Sequence, residues 1–278
     1  MMKKIVVILL IGLVSGCGYE SPKNSNKVES KLYLGKAEYQ PLVVGLGGSE
    51  GGNAWTGERW KKTRDRFVNQ GYAFLAIGYF GTKGTPEALY RISIDAVYKA
   101  IMEAAGNSQV DGKRIAVIGG SKGAELALLL ASQYSDIKCV IGLVPAHCAF
   151  PALTFGASTS SWTYHGQEVP YVPMPWAAVP SAMRHDFRSA FEIMLEDKEA
   201  VEKAVIKIED INGPILLVSA KKDEWWPSTE MSNFMMIRLK EKKFIYPYQH
   251  IAVEGGHTDV LDHFDAVFAF LNSYFPAK

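Results

Sequence analysis

The chain has 278 residues, 48% of them apolar and 21% charged, a balance that suits one globular domain with a single large core and excludes extensive disorder. A formal net charge of +1 supplies no field to draw a nucleic-acid backbone, so nucleic-acid binding is set aside. No cluster of Cys and His has metal-ligand spacing, and neither a metal nor another cofactor is expected.

The N-terminus reads as an export signal. "MMKK" is a basic n-region and "IVVILLIGLV" a ten-residue apolar run, too short for an ordinary membrane span. The following "VSGC" resembles the lipobox of bacterial lipoproteins, with small residues Ser15 and Gly16 before Cys17. That resemblance implies cleavage before Cys17, lipidation of its thiol and a place in the cell envelope; Gly18 implies the outer membrane where the host has one. The alternative is an ordinary signal peptide with an incidental cysteine. Residues 17–37, including "GYESPKNSNKVES", read as a polar tether.

From residue 38 to 278, short apolar runs alternate with helical patterns. "YQPLVVGL", "YAFLAIGYF", "RIAVIGG", "KCVIGLVP", "GPILLVSA" and "YQHIAVEGG" are rich in Val, Ile, Leu and aromatics, as strands buried on both faces are. Between them, "GERWKKTRDRFVNQ", "PEALYRISIDAVYKAIMEAAG", "KGAELALLLASQY", "PSTEMSNFMMIRLKEKK" and "TDVLDHFDAVFAFLNSYF" carry apolar residues at three and four spacing. In the second helix Leu89, Ile92, Ala96, Val97 and Ile101 share a face, with Pro86 near its start and Gly106 closing it. The alternation predicts an α/β fold, a doubly wound and mostly parallel sheet with helices on both faces. Residues 148–212 interrupt it with a Pro-, Trp- and Tyr-rich stretch and a charged helix, "RHDFRSAFEIMLEDKEAVEKAV", and read as a lid-like insertion. Cys139 and Cys148 flank an extended run that holds them too far apart to bridge, so both are expected as buried free thiols.

One motif carries chemistry. Gly119-Gly120-Ser121-Lys122-Gly123 lies between a predicted strand and a predicted helix, the setting of a nucleophile elbow rather than of an incidental glycine turn. A nucleophilic serine needs a base and an orienting carboxylate, in the chain order Ser, acid, His. His257, in "EGGH" after the last strand, is the base; His250 within the strand and His263 within the last helix read as structural. Asp223 ends the strand "PILLVSA" and is the acid, with Glu224 as the fallback because spacing does not rank neighbouring carboxylates. Backbone N–H groups of Lys122 and of Ser49, with Glu50 as the next candidate, in the glycine-rich loop "LGGSEGG", would form the oxyanion hole. The same glycines fail the dinucleotide and phosphate-loop patterns. Tyr79, Phe80, His147 and Trp225 are the expected substrate-binding residues. The Lys122 side chain reads as a helix-surface lysine paired with Glu125 at i+3.

"VIGGSKGAELALLLAS", "LGGSEGG", "AIGYFG", "GPILLVSAKKDEWWPS" and "EGGH" together resemble the C-terminal catalytic domain of the acyl-CoA thioesterase and bile acid-CoA:amino acid N-acyltransferase family, over most of residues 39–275. The resemblance implies an α/β-hydrolase with Ser121, Asp223 and His257 as the triad, acting on a small-molecule acyl ester or thioester. Serine at the nucleophile, where the acyltransferase branch has cysteine, implies transfer to water. The residues ahead of 38 are expected to be too few for the β-sandwich that precedes this domain in the animal enzymes, and an exported chain is expected to meet few coenzyme A esters. Two rival readings therefore stand: a surface carboxylesterase, lipase or deacylase with a non-CoA substrate, and a non-catalytic ligand-binding lipoprotein.

Overall fold

The computed structural model describes residues 26–154 and 156–278; the lipidation assigned to Cys17 lies outside the described residues. Seven strands form the central sheet: β1 Glu29–Tyr33, β2 Gln40–Leu46, β3 Ala73–Gly78, β5 Val110–Gly120, β6 Ile137–Leu143, β9 Ile215–Ala220 and β10 Tyr248–Val253. Their spatial order is β1-β3-β2-β5-β6-β9-β10, parallel throughout except for β1, which runs antiparallel to β3. The strand order reverses between β2 and β5. In an open parallel sheet, such a switch point opens a crevice at the strands' C-terminal ends.

Alternation along each strand explains the two cores. Leu42, Val44 and Leu46 of β2 point to one face and join Val97 and Ile101 of α2 (Ile94–Ala105), Leu126 and Leu130 of α3 (Lys122–Gln133), and Met235 and Leu239 of α7 (Ser228–Glu241). Val43 points to the other face, where Phe67 of α1 (Glu58–Asn69) and Phe264, Phe268 and Leu271 of α8 (Phe264–Tyr274) cover the sheet. Each such side chain contributes roughly 1.5–3 kcal/mol by leaving water. The period of two, set against helices on both sides, is what makes the sheet doubly wound. Among the described residues, no helix is long and apolar enough to cross a membrane.

The structure corrects several boundaries. "ESKLY", read as tether, is strand β1, paired in register from Glu29 with Gly78 to Tyr33 with Phe74. The second helix starts eight residues later than its pattern suggests. Leu89 and Ile92 are buried but precede it, and the N-cap is Ser93, whose hydroxyl accepts from the Ala96 amide at 3.1 Å; Gly106 does close it. Residues 92–93 form β4, which pairs with β7 (Trp162–Tyr164) and, beyond it, β8 (Gln167–Glu168), a small sheet that ties the insertion to the chain ahead of α2.

The charged helix of the insertion is two helices, α5 (Phe187–Met194) and α6 (Lys198–Ala204), after a short α4 (Val179–Met183). Asp186 and Asp197 each cap the helix that follows, accepting from Ser189 and Ala200 amides. Phe150, Ala178 and Met194 of the insertion form a third core with Trp226 and Met231, which follow β9. Cys139 and Cys148 are free and buried.

Candidate active site

Ser121 sits where β5 turns into α3, at φ 54° and ψ −122°. This backbone is strained for any residue with a Cβ and persists only where the surroundings enforce it. They do so from both sides. The Ser121 amide donates to the Leu143 carbonyl of β6 at 2.9 Å, and its carbonyl accepts from the Ala124 and Glu125 amides that start α3. A Cβ at Gly119 would collide with the Gly123 carbonyl, and one at Gly123 with that of Gly47. Both glycines are therefore required for strand, helix and loop to approach so closely.

The loop after β2 reaches the turn across the switch point. A Cβ on Gly48 would lie 3.1 Å from the Gly120 carbonyl oxygen and 3.3 Å from the Ser121 Cβ. Its backbone thus rests on the elbow, one residue before exposed Ser49. Tyr79 fixes the loop by donating its hydroxyl to the Gly47 carbonyl at 2.5 Å. Burial pushes this phenol well above its usual pKa and keeps it a donor. Tyr79 is therefore a buried loop anchor and not an open substrate contact.

The other two residues come from the neighbouring strand ends. Asp223, 1% exposed, follows β9, and its Oδ1 accepts from His257 Nδ1 at 2.8 Å, from the Trp225 amide at 3.0 Å and from the Trp226 amide at 3.3 Å. Glu224 faces the same loop but takes its backbone: Oε2 accepts from the His257 amide at 2.9 Å. The two neighbouring carboxylates thus hold different parts of His257, Asp223 the ring and Glu224 the backbone. The loop after β10 is further tied by the Gly256 amide to Asp259 Oδ2 and by the Lys222 amide to the Gly255 carbonyl. Among the described residues no hydrogen bond joins His257 Nε2 to Ser121; the Nδ1 side of the ring is the side that is held.

The Lys122 side chain is not on the surface. It is 4% exposed, pairs with both Glu125 oxygens at 2.9 Å and donates to the Phe150 carbonyl at 3.3 Å. Glu125 also accepts from Trp162 Nε1 at 2.5 Å and from the Phe150 amide at 3.1 Å. Desolvation pulls the Lys122 pKa down while Glu125 opposes it. The i+3 pair is present, but the insertion covers it, so Lys122 and Glu125 fasten the insertion to the helix that carries the elbow.

Of the remaining expected contacts, Phe80 is buried against Gly51 and His147 is buried beside Phe234, its Nδ1 unpartnered among the described residues. Trp225 is half-buried, with ring centroids 6.0 Å from His257 and 5.0 Å from Phe187, stacked flat on the latter. Sequence reading missed Arg188 on α5, which donates to the Asp223 carbonyl at 3.1 Å and pairs with Glu230 at 2.6 Å. Among the described residues, no group of three or more His, Cys, Asp and Glu is placed to hold a metal.

Comparison with known proteins agrees with this architecture. The chain is 26% identical over 238 residues to mouse acyl-coenzyme A thioesterase 6, covering 85% of this chain and 53% of that protein. It is 32% identical over 150 residues to cutinase 1 of Thermobifida cellulosilytica, covering 50% of this chain and 55% of the other. It thus spans about half the length of these relatives. A Mycobacterium tuberculosis puromycin-hydrolyzing peptidase superposes with a TM-score of 0.63 at 19% identity, over 90% of this chain and 38% of the other, and an acetyl xylan esterase from Paenibacillus sp. R4 with 0.56 at 20%, over 89% and 80%. These likenesses show an α/β-hydrolase fold. The family described as BAAT / Acyl-CoA thioester hydrolase C terminal matches residues 99–260, from within α2 through the elbow and Asp223 to just past His257. On that match, and on the fold that carries it, the chain belongs to the BAAT and acyl-CoA thioester hydrolase C-terminal family.

Proposed function

We propose that this protein is a serine hydrolase of acyl thioesters or esters, with Ser121 as nucleophile, His257 as general base and acid, and Asp223 as the orienting carboxylate. The observation that carries the proposal is the 2.8 Å contact between buried Asp223 and His257 Nδ1, on the same sheet edge as the strained Ser121 turn. In a neutral imidazole, an Nδ1 proton directed at Asp223 leaves Nε2 able to accept.

In the acylation step the Ser121 hydroxyl proton passes to Nε2 as Oγ bonds to the acyl carbonyl carbon. The carbonyl electron pair moves onto oxygen, held by the Lys122 and Ser49 amides. As the first residue of α3, Lys122 has no intrahelical acceptor for its N–H. Collapse of this intermediate breaks the carbon–sulfur or carbon–oxygen bond, and the Nε2 proton goes to the leaving thiol or alcohol. Water then gives a proton to Nε2 as its oxygen bonds to the acyl carbon, and collapse breaks the Oγ–acyl bond, returns the Nε2 proton to Ser121 Oγ and releases the acid. Unliganded hydrolases often hold the serine-to-base contact loosely until substrate enters.

Family membership favours an acyl thioester as substrate. The export signal expected from the sequence and the cutinase likeness favour a second reading, an envelope esterase on the same scaffold. The catalytic assignment is tested by Asp223→Asn and Glu224→Gln measured separately. Asp223→Asn is expected to lower kcat by about 10³–10⁴. Glu224→Gln keeps an acceptor for the His257 amide and is expected to cost less than tenfold. The reverse ranking would transfer the role to Glu224.

A further inference from the structure

The geometry points to Arg188, on α5 of the insertion, as a positioning residue for the hydrolysis proposed above: its guanidinium holds the Asp223 carbonyl and thereby sets the direction in which the Asp223 carboxylate meets His257. The inference rests on the hydrolase reading for the reaction that Arg188 serves. Its geometry rests on hydrogen bonds among three segments of the chain.

Asp223 is placed by its backbone more than by its carboxylate. Oδ1 accepts from His257 Nδ1 and from the Trp225 and Trp226 amides, the last two closing a turn of the aspartate on its own chain. Oδ2 is buried and has no protein partner among the described residues, so no contact on that side keeps the carboxylate from turning away from the ring. The carboxylate therefore follows the peptide groups that flank it. On the N-terminal side the Asp223 amide makes a long bond of 3.3 Å to the Ala220 carbonyl. On the C-terminal side no backbone amide among the described residues donates to the Asp223 carbonyl, and Arg188 Nη1 does so at 3.1 Å.

Arg188 is itself fixed on both sides. Its Nε donates to Glu192 Oε1 at 2.8 Å, one turn further along α5, and its Nη2 to Glu230 Oε1 at 2.6 Å, in the first turn of α7. A planar guanidinium with these two positions taken presents its remaining N–H groups in a set direction, and here they meet the carbonyl. The two carboxylates also match its charge, which argues against a role in binding an anionic group of the substrate. Asp186 starts α5 by accepting from the Ser189 amide, which puts Phe187 and Arg188 together on the first turn. Phe187 stacks flat on Trp225, whose amide is one of the Oδ1 donors. Two consecutive residues of the insertion thus grip the turn that carries Asp223, one through an indole ring and one through a carbonyl. In this arrangement the insertion contributes to the reaction without touching the substrate.

The test uses the full chain and whichever of an acyl-CoA and an aryl ester of matched chain length the wild type hydrolyses faster. Arg188→Met keeps most of the stem and removes the donors, and it is expected to lower kcat by about 10- to 100-fold with KM within about threefold of wild type. Because Arg188 acts through Asp223, Arg188→Met/Asp223→Asn is expected to match Asp223→Asn alone within about twofold. In protein with isotope-labelled histidine, the downfield Nδ1 proton signal that Asp223→Asn abolishes is expected to broaden or vanish in Arg188→Met as well. Glu192 and Glu230 are 49% and 59% exposed in their side chains, so losing their partner costs little stability. Arg188→Met/Glu192→Gln/Glu230→Gln leaves neither carboxylate unpaired and is expected to lose the same kcat as Arg188→Met. Full kcat in either of these variants, a rise in KM alone, losses that multiply when Arg188→Met is combined with Asp223→Asn, or an undisturbed Nδ1 signal would overturn the inference. Wild-type protein that hydrolyses neither ester would refute the hydrolase reading, and the Nδ1 signal would still decide whether Arg188 places Asp223.

Discussion

Ser121 is held in a backbone conformation that glycine adopts readily and serine does not. Replacing it should therefore separate stability from chemistry. Ser121→Gly is expected to raise stability by about 1 kcal/mol while abolishing hydrolysis, because it relieves the positive-φ strain and removes the proposed nucleophile. Thermal unfolding and an esterase assay of the same preparation check both halves, and a destabilised variant would mean that the turn stores no strain. His147 offers a second test at this scale. Burial lowers its pKa to about 4 from an ordinary value near 6.5, so the folded protein resists protonation that the unfolded chain accepts. The stability it supports is complete above pH 6.5 and is lost as pH falls through about 4, by roughly 3 kcal/mol once both states are protonated. His147→Leu should flatten the dependence of Tm on pH between 4 and 6.5; an unchanged slope would place the acid sensitivity elsewhere.

At the scale of elements, α3 connects the Ser121 turn to the insertion. Lys122 and Glu125 form a buried pair whose carboxylate also holds Trp162 and the Phe150 amide, so the loss of one partner leaves the other charge stranded. Lys122→Met alone is expected to cost about 3–5 kcal/mol. Lys122→Met/Glu125→Gln keeps an acceptor for Trp162 without a stranded charge and is expected to recover about 2 kcal/mol of that loss. Additive losses in chemical denaturation would show that the pair is not coupled. This arrangement was only partly legible in the sequence. The i+3 spacing of Lys122 and Glu125 announces the pair, and a lone acid inside "AELALLLAS" is a signal of burial, but what covers the pair comes from residues 25 to 37 positions further along the chain. The late start of α2 has a similar cause: Leu89 and Ile92 fit a helical period but are buried by the turn and by β4, and the cap at Ser93 decides the boundary.

Across the whole molecule, the six strands read from apolar runs all form: the five inner ones are largely buried and leave an unbroken apolar signal, and the half-exposed edge strand β10 still shows Ile251, Ala252 and Val253. Strand β1 escaped notice because a five-residue edge strand with three exposed residues has little apolar pattern to show. That Ser121, Asp223 and His257 lie just past strand ends was legible because strand ends in a parallel sheet converge on one edge, so that a residue just past a strand is placed by the sheet itself. The roles of Tyr79 and Arg188 were not, since each acts through a backbone carbonyl contributed by a distant segment. The central claim is that these strand ends assemble a serine hydrolase. The measurement that tests it most directly is kcat/KM of the full chain for an acyl-CoA and for an aryl ester of matched chain length, with Ser121→Ala beside wild type. We predict hydrolysis of at least one of them by wild type and a loss of about 10⁴-fold or more in a variant that remains folded. Equal activity in Ser121→Ala would contradict the account.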